Sequence, residues 1–167
     1  VLKSSNGILM IMDLDSFKLV NDLYGHDMGD KVLSAFSVII SHNTRETDIL
    51  SRIGGDEFLA FFSNLCDKES VVVLTARLNK ALVKKAKELM GEDFDLALGI
   101  SIGVVFVPEY GNDYYRLFQY ADNAMYKIKQ NGKHGCEIYS RRMDIGEADV
   151  DLDGEISRIT KIIEERN

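Results

Sequence analysis

Residues Ile8–Met12 make an unbroken apolar run that stops at Asp13-Leu14-Asp15. The run has the length of a strand, and with no polar residue to face water it reads as a strand covered on both faces. Such a strand belongs inside a sheet, so the rest of the chain has to supply its neighbours and its cover. A turn-rich stretch follows from Asn21 to Gly29, punctuated by Gly25 and Gly29. Val32, Leu33, Phe36, Ile39 and Ile40 then fall at helical spacing. Asp48–Ile53 and Glu57–Phe62 read as two short strands joined through Gly54-Gly55-Asp56, a hairpin signal.

Lys68 to Met90 reads as a long helix with Val71, Leu74, Leu78, Leu82, Ala86 and Leu89 on one face, stopped by Gly91. Leu96–Val107 is the next strand, Tyr114–Gln130 a helix closed by Asn131-Gly132, and Glu137–Tyr139 a last short strand. The order β-α-β-β-α-β followed by α-β is a ferredoxin-like split βαβ with one added helix and strand. The expected class is α/β, an α+β sandwich with helices on one face of a central, mostly antiparallel sheet.

The 167 residues suit one domain with one buried core. A net charge of −7 speaks against a protein that holds nucleic acid by neutralising many phosphates. It leaves room for a nucleotide substrate, whose charge bound cations balance locally. No apolar run reaches the ~20 residues of a membrane helix and no signal peptide opens the chain, so no membrane contact and a cytoplasmic location are expected. Cys66 and Cys136 are far apart, match no zinc spacing and read as reduced thiols. Val1 to Gly7 reads as the interior of a longer protein. Residues 141–167 form a separate part: an acidic stretch from Glu147 to Glu155, then an amphipathic helix bearing Ile156, Ile159, Ile162 and Ile163. That helix either packs on the domain or connects to a neighbouring one.

Two acidic groups stand where a carboxylate is costly unless it binds something. Asp13 ends an apolar strand, and Asp56-Glu57 closes the Gly-Gly turn. In a split βαβ these strands are neighbours, so the carboxylates converge at one edge of the sheet. Converging carboxylates repel unless protonated or bridged by a cation. Hard oxygen donors favour Mg2+ (or Mn2+), which takes one or two carboxylates and completes its shell with substrate phosphates. The pattern is that of metal-assisted phosphoryl or nucleotidyl transfer. Gly54-Gly55 is expected to supply unusual backbone angles and room for a bulky ligand. Alone, such a turn is more often only a turn; its pairing with Asp13 gives it weight.

Arg52-Ile53-Gly54-Gly55-Asp56-Glu57-Phe58 resembles the signature of the GGDEF family of diguanylate cyclases. Asp13-Leu14-Asp15-Ser16-Phe17-Lys18-Leu19-Val20-Asn21-Asp22 is similar to that family's first motif, and Gly25-His26 with Gly29-Asp30 to its second. Ser101-Ile102-Gly103-Val104 resembles its penultimate strand, and Ala121-Asp122 through Tyr126-Lys127-Ile128-Lys129 its late helix. The resemblance covers about residues 7 to 140, with the motifs in order at fitting distances. It implies a palm-like GGDEF domain over residues 1–140 that condenses two GTP into cyclic di-GMP and two pyrophosphates. The reaction would run in a face-to-face homodimer, controlled by flanking sensory or effector domains.

The resemblance also implies roles. Asp13 and Asp56, with the Leu14 carbonyl, would hold the metal ions. Glu57 would be a further ligand or assist deprotonation of the 3′-hydroxyl. Asn21 and Asp30 would read guanine, whose N1–H and N2–H donors suit a carboxylate as adenine does not. Backbone amides near Ser16 and Phe17, with Lys18, Lys129 and Lys133, would cradle the triphosphate, and Arg52, Gly54 and Gly55 would line the nucleotide. Arg45-Glu46-Thr47-Asp48 resembles the family's Arg-x-x-Asp inhibitory site for cyclic di-GMP, with Arg77 as a third member. There a guanidinium grips phosphate and guanine edges through its forked donors.

The chain departs from the family in three places. Gly132-Lys133-His134 stands where Gly-Arg-Asn is usual; lysine keeps the charge and loses the fork, which weakens a phosphate grip. The Asp-x-Leu-Thr segment that normally precedes the first strand is not among these 167 residues. Asp149-Val150-Asp151-Leu152-Asp153-Gly154 opens like an EF-hand loop, but Thr160 replaces the final glutamate, which predicts weak calcium binding at best.

Overall fold

In the computed structural model, which describes residues 6–144, β1 (Gly7–Asp15) is buried along its whole length. It leads into α1 (Phe17–Tyr24) and α2 (His26–His42). The hairpin β2 (Ile49–Arg52) and β3 (Glu57–Ser63) follows, then α3 (Lys68–Met90), β4 (Gly99–Val107), α4 (Tyr114–Gln130) and β5 (Gly135–Ile138). The sheet order is β2-β3-β1-β4-β5, with β1 in the middle. All pairs are antiparallel except β4 with β5. This is the expected α/β, palm-like sheet with one parallel pair added.

Two of the sequence expectations need correction. Helices cover both faces of the sheet, as the unbroken apolar run of β1 required. Ile8, Met10, Met12 and Leu14 pack with residues of α1, α2 and α3. Leu9 and Ile11 pack on the other side with Leu117, Ala121, Ala124 and Met125 of α4. Alternate residues of a strand point to opposite faces, so a strand apolar at every position needs two covers. The second correction concerns the stretch from Asn21 to Gly29, which is mostly helical. α1 runs through Asn21 because Phe17 and Val20 bury one side of it, and α2 starts at once after Gly25. Tyr126, in the late-helix motif, is exposed on α4.

The long helix keeps its predicted face: Val71, Leu74, Leu78, Leu82 and Ala86 are buried. Asp67 caps it by accepting Ser70 N–H at 2.7 Å, which satisfies one of the free donors of the first turn. Residues 145–167, with Ile156 to Ile163 and the Asp149–Gly154 loop, lie outside the described residues. No helix among the described residues is long and apolar enough to cross a membrane.

Both cysteines are free thiols; Cys66 is exposed and Cys136 lies in β5 against the core. Burial pushes the Cys136 thiol up to about 11, against a small opposing effect of Thr75. At pH 8 an alkylating reagent is expected to modify Cys66 first. Cys136 should react about two orders of magnitude more slowly than an ordinary thiol, because the thiolate is the nucleophile. Its folded-state pKa lies above the unfolded value, so the thiol's contribution to stability is intact below about pH 9 and is lost as pH rises through about 11. Counting labels by mass spectrometry over time checks the order.

Candidate active site

β1 delivers Asp13 to the end of the sheet where the β2–β3 turn lies. In the strand register Asp13 stands opposite Glu57 of β3 on one side and Ser101 of β4 on the other. Leu14 N–H donates to the Asp56 carbonyl at 3.2 Å, so the turn is stitched directly to the acidic end of β1. Asp13 is nearly buried. Its Oδ2 accepts from Lys129 Nζ, while its Oδ1 is the buried side-chain oxygen or nitrogen left without a partner among the described residues. Leaving a buried acceptor unpaired costs about 1–3 kcal/mol, which marks an atom kept for something else.

Burial raises the Asp13 pKa above the usual carboxylate value, Lys129 opposes this, and the neighbouring Asp56 carboxylate adds to the rise. Burial alone would lower the Lys129 ammonium, but Asp13, Glu57 and Asp56 together hold it above its ordinary value. The two partners thus shift for different reasons: Asp13 is dominated by desolvation, Lys129 by three carboxylates. No three acidic, histidine or cysteine side chains among the described residues cluster tightly enough to hold an ion on their own. Two convergent carboxylates with one free oxygen nevertheless fit a hard divalent cation that finishes its shell with phosphates.

The turn itself is held from within. Arg52 Nε donates to Gly54 O at 3.2 Å and Gly55 O at 2.9 Å, and its Nη2 to Gly55 O at 2.6 Å. Arg52, expected to line the nucleotide, therefore orients the Gly-Gly backbone. Neither Gly54 nor Gly55 adopts the left-handed region, contrary to the expectation of unusual angles. A Cβ at Gly55 would meet nothing within 4 Å, whereas one at Gly54 would lie 3.2 Å from Glu57 Oε2.

Asn21 on α1 meets α2 at Gly29, where a Cβ would lie 1.9 Å from Asn21 Oδ1. A side chain at Gly29 would expel Asn21, so the glycine is needed for close approach. Asp30 beside it is exposed. Ser16 caps α1 in a left-handed conformation (φ 62°) with no side-chain hydrogen bond to the first-turn amides. Those amides are open to an anion, as helix N-termini are. Lys18 and Lys133 are exposed.

Sequence reasoning assigned no role to Asp15. It is buried, accepts from Ser101 Oγ at 2.7 Å and His134 N–H at 3.0 Å, and lies 3.1 Å from His134 Nδ1. Its spacing from Asp13, two residues along one strand, was the available signal.

Arg45, Asp48 and Arg77 lie together at the opposite end of the β2–β3 hairpin, around a groove of about 430 Å³ between the hairpin and α3. Asp48 Oδ2 accepts Arg45 N–H at 2.7 Å, and Oδ1 accepts Ser63 N–H at 2.8 Å and Ser63 Oγ at 3.0 Å. Arg77 Nη1 donates to Asn43 Oδ1 at 3.4 Å. The aspartate thus secures the loop, while the Arg45 and Arg77 side chains border the groove.

A sequence model described as the GGDEF domain of diguanylate cyclases matches residues 2–135. Diguanylate cyclase DosC of Escherichia coli K12 is 35% identical over 131 residues, covering 78% of this chain and 28% of that protein. Cyclic di-GMP phosphodiesterase PdeR of the same strain is 32% identical over 136 residues, 81% of this chain and 20% of that protein. The chain thus spans less than a third of the length of either relative. Among solved structures, the active GGEEF domain of a diguanylate cyclase from Vibrio cholerae superposes with a TM-score of 0.68 at 26% identity, over 81% of this chain and 84% of that one. A microbial GGDEF domain described with cyclic di-GMP superposes at 0.64 with 28% identity, over 80% of this chain and 77% of that one.

Proposed function

The chain belongs to the diguanylate cyclase GGDEF domain family, and from that premise we propose that it condenses two GTP into cyclic di-GMP and two pyrophosphates. The observation that carries the proposal is the buried, unpartnered Oδ1 of Asp13 beside Asp56 and Glu57, at the family's signature positions. Asp13, Asp56 and the Leu14 carbonyl would hold Mg2+ or Mn2+, which when bound polarises the phosphate and offsets developing charge. The open amides at the start of α1, with Lys18, Lys129 and Lys133, receive the triphosphate. Asn21 and Asp30 accept the N–H donors of guanine.

Each nucleotide's 3′-oxygen attacks the α-phosphorus of the other, so that two phosphodiester bonds form and the two bonds to pyrophosphate break. Glu57 assists removal of the 3′-hydroxyl proton. One chain presents one guanine site, so the second GTP comes from a second copy facing the first. Alignment of the two nucleotides then supplies much of the rate. The groove at Arg45, Asp48 and Arg77 takes cyclic di-GMP as an inhibitor.

Incubating the protein with GTP and magnesium at rising protein concentration, with Asp56→Ala/Glu57→Ala as the blank, tests the reaction. Product that rises faster than linearly with protein, and is missing from the blank, is expected. No product at any concentration, with GTP still bound, would sink the cyclase reading in favour of a nucleotide-sensing module.

A further inference from the structure

Asp15 lies two residues beyond Asp13 on the same face of β1, and the chemistry above leaves it without a task. Its side chain is 2% exposed and is fully engaged by Ser101 and His134. Two atoms of His134 meet the same carboxylate oxygen: its backbone N–H donates to Asp15 Oδ2 at 3.0 Å, and its ring Nδ1 lies 3.1 Å from it. The register of β1 on β4 sets Gly99 opposite Asp15. A Cβ at Gly99 would lie 2.0 Å from His134 Nδ1, so the imidazole fills the space that this glycine leaves.

The loop that carries His134 is an unusual one. Gly132, Lys133, His134 and Gly135 all have positive φ, at 107°, 65°, 53° and 153°. Residues with a Cβ take that region only when their surroundings compel it. Two sets of contacts supply the compulsion: Lys133 N–H donates to Ile128 O at 3.0 Å at the end of α4, and Asp15 meets both the backbone N–H and the ring Nδ1 of His134. Lys133 therefore sits in the chain between two anchors on successive same-face carboxylates of β1, Lys129 on Asp13 and His134 on Asp15.

We propose that His134, acting through Asp15 and Ser101, is a positioning residue that holds Lys133 in the left-handed loop from which its ammonium reaches the triphosphate of GTP. The ligand named here rests on the cyclase reading above; the tether does not. A lysine lacks the forked, pre-organised donors of arginine, so a fixed backbone is what aims it.

The test uses the 167-residue chain and four variants: His134→Ala, His134→Phe, His134→Asn and Lys133→Ala. All three histidine variants keep the backbone N–H that donates to Asp15 and so isolate the ring's share of the tether: His134→Phe keeps the ring volume and loses the Nδ1 contact, while His134→Asn offers a side-chain N–H in its place. Hydrogen exchange of the amides at 132–135, measured without nucleotide, should speed up in the alanine and phenylalanine variants and stay near the parent in the asparagine one. Calorimetry with a non-hydrolysable GTP analogue and magnesium should show both weakened by about tenfold to a hundredfold, the range misplacement of a binding group commands. Combined with Lys133→Ala, neither should weaken binding further, because the two residues act on one contact. Faster exchange with unchanged analogue affinity, or losses that add to that of Lys133→Ala, would reduce the tether to a structural role and overturn the proposal. Unchanged exchange overturns the tether alone, whereas a parent that binds no GTP analogue overturns the cyclase reading and the role of Lys133 with it.

Discussion

Asp13→Asn is expected to lower cyclic di-GMP formation about a hundredfold to a thousandfold while the protein still folds and still binds a GTP analogue. The size follows from what the carboxylate does at that place. Removing one group that stabilises developing charge in a dry site costs up to about a thousandfold, and Asp13 offers the one buried unpartnered side-chain oxygen among the described residues. Asparagine has the same shape, so packing against Ser101 and Glu57 in the neighbouring strands is preserved. The sign of the stability change also follows. Burial holds the folded-state pKa of Asp13 above its usual value, so ionising it disfavours the native state as pH rises through and above that usual value. The neutral variant is relieved of that cost, and Lys129 keeps Asp56 and Glu57 as counter-charges. Near neutral pH without divalent ions it should melt no lower than the parent. Product quantified by chromatography beside a melting curve checks both halves; a variant retaining a tenth of the parent rate would remove Asp13 from the metal-binding set.

The second large effect is expected at the other end of the hairpin. Arg45→Ala combined with Arg77→Ala should raise the cyclic di-GMP concentration that halves the rate by about a hundredfold or more. Each hydrogen bond from a charged donor to phosphate is worth about 1.5–3 kcal/mol, and about 1.4 kcal/mol is a factor of ten. Asp48→Ala is the poorer probe. Its carboxylate secures the loop to Ser63 and to the Arg45 amide, so its loss would disturb β2 as well as the ligand. The inhibition curve is read relative to each variant's own uninhibited rate. An unchanged half-inhibition concentration in the double arginine variant would rule out the groove as the inhibitory site.

Much of the site was legible in the residues alone because its chemistry is local. An acid at the end of an apolar strand and an Asp-Glu pair after two glycines announce themselves at short range. Their neighbourhood follows once β1 and β3 are paired, and the register bears it out by setting Asp13 against Glu57. Arg45 and Asp48 were legible for the same reason, being three residues apart. Arg77 was named only through the family resemblance, because it reaches the groove from α3 across the fold, where no local pattern ties it to Arg45 and Asp48.

What the order of residues settles here is periodicity and local punctuation: the elements, the central place of β1, and the acidic groups at one end of it. These depend on which side chains shun water and which interrupt them, and each is a short-range property. The tertiary structure alone decided the rest. It put α4 on the face opposite α1, α2 and α3, turned Arg52 inward onto the glycine carbonyls, and brought Lys129 and His134 onto Asp13 and Asp15. Those pairings join residues 116 and 119 positions apart. No local propensity encodes them; they exist because burial of both faces of one strand forces the end of α4 over its carboxylates.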